Sequence, residues 1–186
     1  MNYKDKTLTF EEDKIYFTEG GLEFEVMMDW EYEIMKASAD YACENGGDIL
    51  EIGFGMGISA GYIQANSINS HTIVENHPQV IERLKVWIED KPNVTIVEGD
   101  WYDMRGSLST YDGIFYDTFG EEQWEKFGTE LPSLVKSGAK VTWWNNNSEK
   151  SNIHNISEVE YEAMNVNPPK NNYFNSNVYY LPKKQF

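Results

Sequence analysis

The stretch DILEIGFGMGISAG, residues 48–61, decides how the rest of the chain is read. Its first part, 48–53, is short, apolar and bounded by glycines, which is the pattern of a buried parallel strand. Gly53-Phe54-Gly55-Met56-Gly57 follows, and a helical run starts directly after it. Glycine lets a backbone turn tightly and lets a ligand approach it closely. The pyrophosphate fingerprint GxGxxG is not met, because Ser59 or Ala60 stands where its last glycine belongs, so a dinucleotide is discounted. The next apolar run, HTIVE at 71–75, completes a strand–helix–strand unit. Its last residue, Glu75, lies about 20 residues after the glycines, where a carboxylate in such a unit accepts hydrogen bonds from ribose hydroxyls. An exposed strand-end residue is the plainer alternative.

Working outward, residues 30–43 read as a helix, with Asp29 as its N-cap and Gly46-Gly47 just past its end. The residues before it form an irregular arm. Downstream, Val80, Ile81, Leu84 and Ile88 recur at helical spacing within 78–89, and 94–97 is strand-like. A strand at 111–116, a helix over 122–135 with Pro132 near its end, a break at Ser137-Gly138 and a strand at 140–144 follow. Two more strands, 159–166 and 177–181, flank a loop containing Pro168-Pro169. Alternating strands and helices predict an α/β doubly wound fold: a seven-stranded, mostly parallel sheet with an antiparallel last strand. Ligands in such sheets sit beyond the carboxyl ends of the strands, near the point where strand order reverses. Gly99-Asp100-Trp101, just after the third strand, is placed to set a polar side chain and an indole beside a purine, although a tryptophan there also suits the core.

A chain of 186 residues suits one domain, divided here into an arm (1–25), a cofactor-binding core (26–144) and reduced C-terminal strands (145–186). Thirty-one acidic against 15 basic residues give a formal charge of −16, which repels a nucleic-acid backbone and attracts cationic small molecules, besides aiding solubility. No signal peptide is read in the first ten residues, and no apolar stretch reaches the roughly 20 residues that cross a bilayer. Cys43 is the lone cysteine, and His71, His77 and His154 are scattered, so no metal is expected and a reducing cytoplasm is the expected compartment. The oligomeric state is not legible.

The phrases LEIGFGMGISAG, VEN at 74–76, EGDW at 98–101 and YDTF at 116–119 resemble those of class I S-adenosylmethionine-dependent methyltransferases, which have a Rossmann-like fold. Within that group the order and spacing over 26–148 are most similar to the guanidinoacetate N-methyltransferase family. The resemblance implies S-adenosylmethionine as cofactor, held by Phe54, Gly55, Met56, Gly57, Ile58 and Ser59, with Glu75 on the ribose. It puts Asn76, Gly99 and Asp100 beside the adenine, and Met27, Met35 and Asp117 along the same site. Methionines at 27 and 35 suit ordinary core packing equally well.

The resemblance also implies that Glu31 and Asp117 grip the acceptor's guanidinium, and that the loop with Asn147 and Ser148 meets its carboxylate through backbone N–H groups. A guanidinium is planar, permanently charged and rich in parallel donors, so carboxylates suit it. Two cations, sulfonium and guanidinium, meet only if negative charge offsets their repulsion. Direct in-line transfer to a guanidino nitrogen of a small molecule is the expected reaction. Another amine, a protein arginine, or a cofactor-binding protein without transfer are the alternatives. Two departures bear on the acceptor pocket: the arm lacks the family's closing tryptophan, with Tyr16 or Phe17 as the candidate substitute, and 145–158 is too short for the usual helix between the last parallel strand and the final pair.

Overall fold

The computed structural model describes residues 2–120 and 123–186. In chain order the elements are β1 (Thr9–Phe10), β2 (Lys14–Glu19), β3 (Leu22–Met28), α1 (Tyr32–Ala42), β4 (Asp48–Ile52), α2 (Ile58–Ala65), β5 (Ser70–Glu75), α3 (Pro78–Trp87), β6 (Val94–Glu98), α4 (Trp101–Met104), β7 (Tyr111–Tyr116), α5 (Phe127–Leu134), β8 (Val135–Trp143), β9 (Glu160–Asn165) and β10 (Val178–Gln185). The main sheet has seven strands in the order β6-β5-β4-β7-β8-β10-β9. The five strands from β6 to β8 are parallel, and β10 runs antiparallel to both of its neighbours. This is the expected seven-stranded sheet with its last strand reversed.

Strand alternation divides the core between two faces. Leu50, Ile52, Val74, Ile114, Tyr116, Val141 and Trp143 pack with Phe127, Leu131 and Leu134 of α5 and with Trp101. On the opposite face Phe115 meets Met35 and Ala42 of α1, Ile49 meets Ala39 and Ile63, and Ile73 meets Val80 and Leu84 of α3. Both faces are thus covered, which is why β4, β5 and β7 read as apolar runs rather than as alternating ones.

Register then sets the functional edge. Ile52 pairs with Val74 on one side and with Tyr116 on the other, and Glu75 pairs with Glu98. The ladder continues one residue further: Gly53 N–H donates to Val74 O, Asp117 N–H to Ile52 O, Gly99 N–H to Glu75 O and Trp144 N–H to Tyr116 O. Residues 53, 75, 99, 117 and 144 therefore arrive side by side at the carboxyl ends of five adjacent strands. Strand order reverses between β4 and β7, within this row.

The amino-terminal region departs from the irregular arm expected. It forms a three-stranded antiparallel sheet, β1-β2-β3. Glu19 pairs with Leu22 across Gly20-Gly21, both at positive φ (61° and 80°), so a two-residue hairpin turn closes β2 on β3. Ile15 and Phe17 alternate inward along β2. Asp29 opens a 3₁₀ turn, Asp29–Glu31, instead of capping α1 with its side chain; the helix starts at Tyr32. The helix expected over 122–135 begins on a residue outside those described, and its described part is a 3₁₀ turn followed by α5. β8 runs through the expected break at Ser137-Gly138, absorbing it as a register shift against β7. Among the described residues no helix is long and apolar enough to cross a membrane.

Candidate functional site

Beyond the row of strand ends lies a cavity of about 280 Å³. Its floor is glycine backbone for steric reasons. A Cβ on Gly53, at φ +95°, would stand 1.8 Å from the Asp117 carbonyl oxygen, and one on Gly55, at φ +53°, would stand 2.5 Å from Met27 Sδ. Only glycine lets β4 end this close to β7 while its loop passes beside the methionine.

Glu75 holds the loop together. It is buried, and its carboxylate accepts from Phe54 N–H at 2.9 Å on one oxygen and from Asn76 and His77 N–H at 2.8 Å each on the other. Burial raises its pKa, and these backbone donors act against that rise. Glu75 is therefore no exposed strand-end residue; it ties the glycine loop to the turn after β5 and lines the cavity. Asn76 Nδ2 donates to Asp100 Oδ1 at 2.9 Å, and Lys4 closes on the other oxygen of Asp100.

Glu31 and Asp117, 86 positions apart in the chain, line this same cavity. Glu31 is 3% exposed, and both of its donors converge on Oε1: Met28 N–H at 2.9 Å and the Tyr173 hydroxyl at 2.6 Å. Burial, followed by the charge of Asp117, pushes its pKa up to about 8, against the pull of those hydrogen bonds. Asp117 is half-buried, and its carboxylate has no hydrogen-bond donor among the described residues. Burial, then the neighbouring Glu51 and Glu75, pushes it up to about 7. Glu51 lies behind the floor, where it accepts from Ser59 Oγ and faces His71 Nε2 at 2.9 Å. Four acidic groups therefore share one small volume, a charge state that a cation relieves.

Of the residues singled out from sequence, Met27, Glu31, Gly53, Phe54, Gly55, Ser59, Glu75, Asn76, Gly99, Trp101 and Asp117 line the cavity. The remainder stand behind or beside it. Met35 is fully buried in the core cluster that Met27 shares, Met56 and Ile58 pack against that cluster, and Met56 N–H points at Met27 Sδ. Gly57 takes the left-handed conformation that starts α2, and Asp100 supports Asn76. In the loop after β8 the lining residue is Asn146; Asn147 and Ser148 are exposed, with Asn147 N–H donating to Asn145 Oδ1 at 3.3 Å.

Four aromatic lining residues carry no site role in the sequence reading: Tyr3, Phe119, Trp144 and Tyr173. Tyr3, not Tyr16 or Phe17, reaches the cavity from the amino-terminal region, packing on His77 and Phe119. Phe17 supports it from behind through Phe119, and Tyr16 bonds Glu11. Trp144 stands one step past β8, the strand-end position at which ligand-facing residues are expected in such a sheet. Tyr173 arrives from a loop with no pattern of its own.

The floor suits S-adenosylmethionine by its chemistry. Close-approach glycines, a strand-end carboxylate and the aromatic faces of Tyr3, Phe119 and Trp101 offer backbone, sugar-binding and purine-binding surfaces in one cavity, with Asp117 beside them.

Comparison with known proteins agrees with this geometry. The sequence model of the guanidinoacetate N-methyltransferase family matches residues 3–148. Protein arginine N-methyltransferase 2 of Saccharomyces cerevisiae is 31% identical over the full chain and 51% of its own length. The protein of the same name in Aspergillus fumigatus is 39% identical over 77% of the chain and 35% of its own length. The chain thus spans about half or less of these relatives. Among solved structures, spermidine synthase from Thermotoga maritima superposes with a TM-score of 0.65 at 12% identity, covering 96% of this chain and 72% of that one. A precorrin-6y C5,15-methyltransferase from Geobacter metallireducens gives 0.61 at 16% identity, covering 90% and 93%. Both share the fold.

Proposed function

Since the chain belongs to the guanidinoacetate N-methyltransferase family of class I S-adenosylmethionine-dependent methyltransferases, we propose that it transfers a methyl group to a guanidino nitrogen held between Glu31 and Asp117. The observation that carries this reading is the convergence of these two carboxylates in the cavity floored by the glycine loop. On this reading the arm, core and C-terminal strands act as one methyltransferase domain, because Tyr3, Asp117 and Tyr173 line the same cavity.

Phe54, Gly55, Ser59, Glu75, Asn76 and Gly99 would hold the cofactor, with Met56, Gly57, Ile58, Met35 and Asp100 shaping the loop and turns behind them. When bound, S-adenosylmethionine supplies an electrophilic methyl on a sulfonium. The protein's part is to bring a second cation up to it. Glu31 offers one carboxylate oxygen that no donor reaches among the described residues, and Asp117 offers a whole carboxylate. Each charge-assisted hydrogen bond to the guanidinium contributes about 1.5–3 kcal/mol net, enough to fix one nitrogen in line with the methyl.

Asp117 does not remove a proton from the resting guanidinium, whose pKa is above about 12, since its own lies near 7 even before a cation arrives. As the N–C bond forms, positive charge on the attacking nitrogen makes its proton acidic, and Asp117 accepts it. Tyr173, Trp144 and Phe119 wall the cavity around the carboxylates, a partly apolar surround in which their charge is less screened than in bulk water.

The names of the relatives favour a second reading, in which the guanidinium belongs to a protein arginine. Labelled-methyl transfer to small guanidino acids and to an arginine-containing peptide separates the two. Turnover on small acids is the expected result; turnover on the peptide alone moves the acceptor to the second reading. Cofactor binding with no turnover on any guanidino or amine acceptor rejects the activity.

A further inference from the structure

Beyond β9 the chain makes a turn, residues 169–174, that lies outside the segment matched by the family model. It is held by the buried Asn171. Asn171 Oδ1 accepts from Tyr173 N–H at 2.9 Å and Phe174 N–H at 2.7 Å, while its Nδ2 donates to Pro169 O and Phe174 O. Asn172 Nδ2 donates to Glu23 O at 2.6 Å, tying the turn to β3. The Tyr173 ring is stacked on Trp30 at 6.2 Å and 26°, with Trp144 edge-on at 6.2 Å. Its hydroxyl accepts from Trp30 Nε1 at 3.1 Å and donates to Glu31 Oε1 at 2.6 Å.

The direction of this chain of bonds matters. Trp30 Nε1 can only donate, so it occupies the acceptor side of the tyrosine oxygen and leaves the phenolic proton to point at Glu31. Oε1 is then filled by Tyr173 and Met28, and Oε2 has no donor among the described residues. We propose that Tyr173 is the positioning residue of the acceptor site, fixing the Glu31 carboxylate by one oxygen so that the other is presented to the incoming guanidinium. This rests on the activity proposed above. Tyr173 acts through Glu31 rather than on the reacting atoms.

Besides Tyr173, the titratable groups facing Glu31 are Asp117 after β7 and Tyr179 on β10. A donor removed from Glu31 therefore leaves only Met28 N–H to oppose burial and the charge of Asp117. Tyr173→Phe keeps the stacked ring and deletes the hydroxyl, whereas Tyr173→Leu deletes both. With cofactor saturating, Tyr173→Phe should raise the acceptor KM roughly 10- to 100-fold, the value of one charge-assisted hydrogen bond. Cofactor KM should stay within about two-fold. The acid limb of kcat/KM should move to higher pH. A role confined to packing predicts instead a Tyr173→Phe enzyme like the wild type and a defective Tyr173→Leu enzyme, and that pattern overturns the inference.

A second readout needs no turnover. Carbon-13 NMR of the glutamate carboxyls, with Glu31 assigned through Glu31→Gln, should show the Glu31 titration moving upward in Tyr173→Phe. An unchanged titration overturns the contact. If the wild type methylates no guanidino acceptor, the proposed activity fails, and this titration still decides whether Tyr173 holds Glu31.

Discussion

Replacing Asp117 by Asn should stabilise the protein lacking acceptor while removing its proposed activity. Asp117 is pushed from 3.8 up to about 7 by burial and by Glu51 and Glu75. At about 1.36 kcal/mol for each tenfold change in proton affinity, ionising it in the fold costs at most roughly 4 kcal/mol. The cavity side of the carboxylate is open to solvent, which reduces this to about 1–3 kcal/mol. The sign follows from proton counting. Between the unfolded and folded pKa values the native state binds more protons than the unfolded one, so stability falls as pH rises through this window, from about 4 to above 7. Asn carries no charge and gives up no native hydrogen bond, because no described donor reaches the Asp117 carboxylate. At pH 8.5 the variant should melt roughly 2–12 °C above the wild type, at about 2–4 °C per kcal/mol for a chain of this size. At pH 4 the two should melt together. Calorimetric melting at both pH values, with methyl transfer measured alongside, makes the test. A destabilised variant at pH 8.5, or a gain equal at both pH values, would refute the electrostatic reasoning.

Two other substitutions probe the floor of the cavity. Gly53→Ala forces a Cβ to within 1.8 Å of the Asp117 carbonyl at a φ of +95°, so β4 and β7 must part at their ends; a loss of about 4 kcal/mol or more is expected by denaturant titration. Glu75→Ala strips the acceptor from the Phe54, Asn76 and His77 N–H groups. It should cost about 3 kcal/mol or more of stability and abolish binding of cofactor product by calorimetry; tight binding by a folded Glu75→Ala protein would remove Glu75 from the cofactor site.

The main sheet was legible because it is built from short apolar runs punctuated by glycine. β7 falls on the very residues expected, and β4, β5 and β6 differ by one residue at an end. Residues of the cavity floor were legible for the same reason, since strand ends in register bring Gly53, Glu75, Gly99 and Asp117 together. The amino-terminal sheet was missed although its signal was present: Gly20-Gly21 separates two strand-like runs, with inward residues alternating in KIYFTE, a hairpin pattern. Tyr173 had no such signal. Its place depends on a turn closed locally by the Asn171 side chain and, above all, on contacts with Trp30 and Glu31 more than 140 positions away, which no local periodicity encodes. Likewise the site's Asn146, rather than Asn147 or Ser148, faces the cavity because Asn145 caps the turn with its own side chain.

Glu31 near 8 and Asp117 near 7 make the ligand-free cavity a store of protons at neutral pH. A guanidinium bound between them favours both ionised forms and so must drive protons out. Titrating ethylguanidinium into the protein saturated with S-adenosylhomocysteine, at pH 7 in two buffers of different ionisation enthalpy, counts them. Release of about one proton per cation bound is expected, falling toward half or less in Asp117→Asn or Glu31→Gln. Binding without proton release, or no binding by a protein that holds the cofactor product, would contradict a cation site built from these two carboxylates.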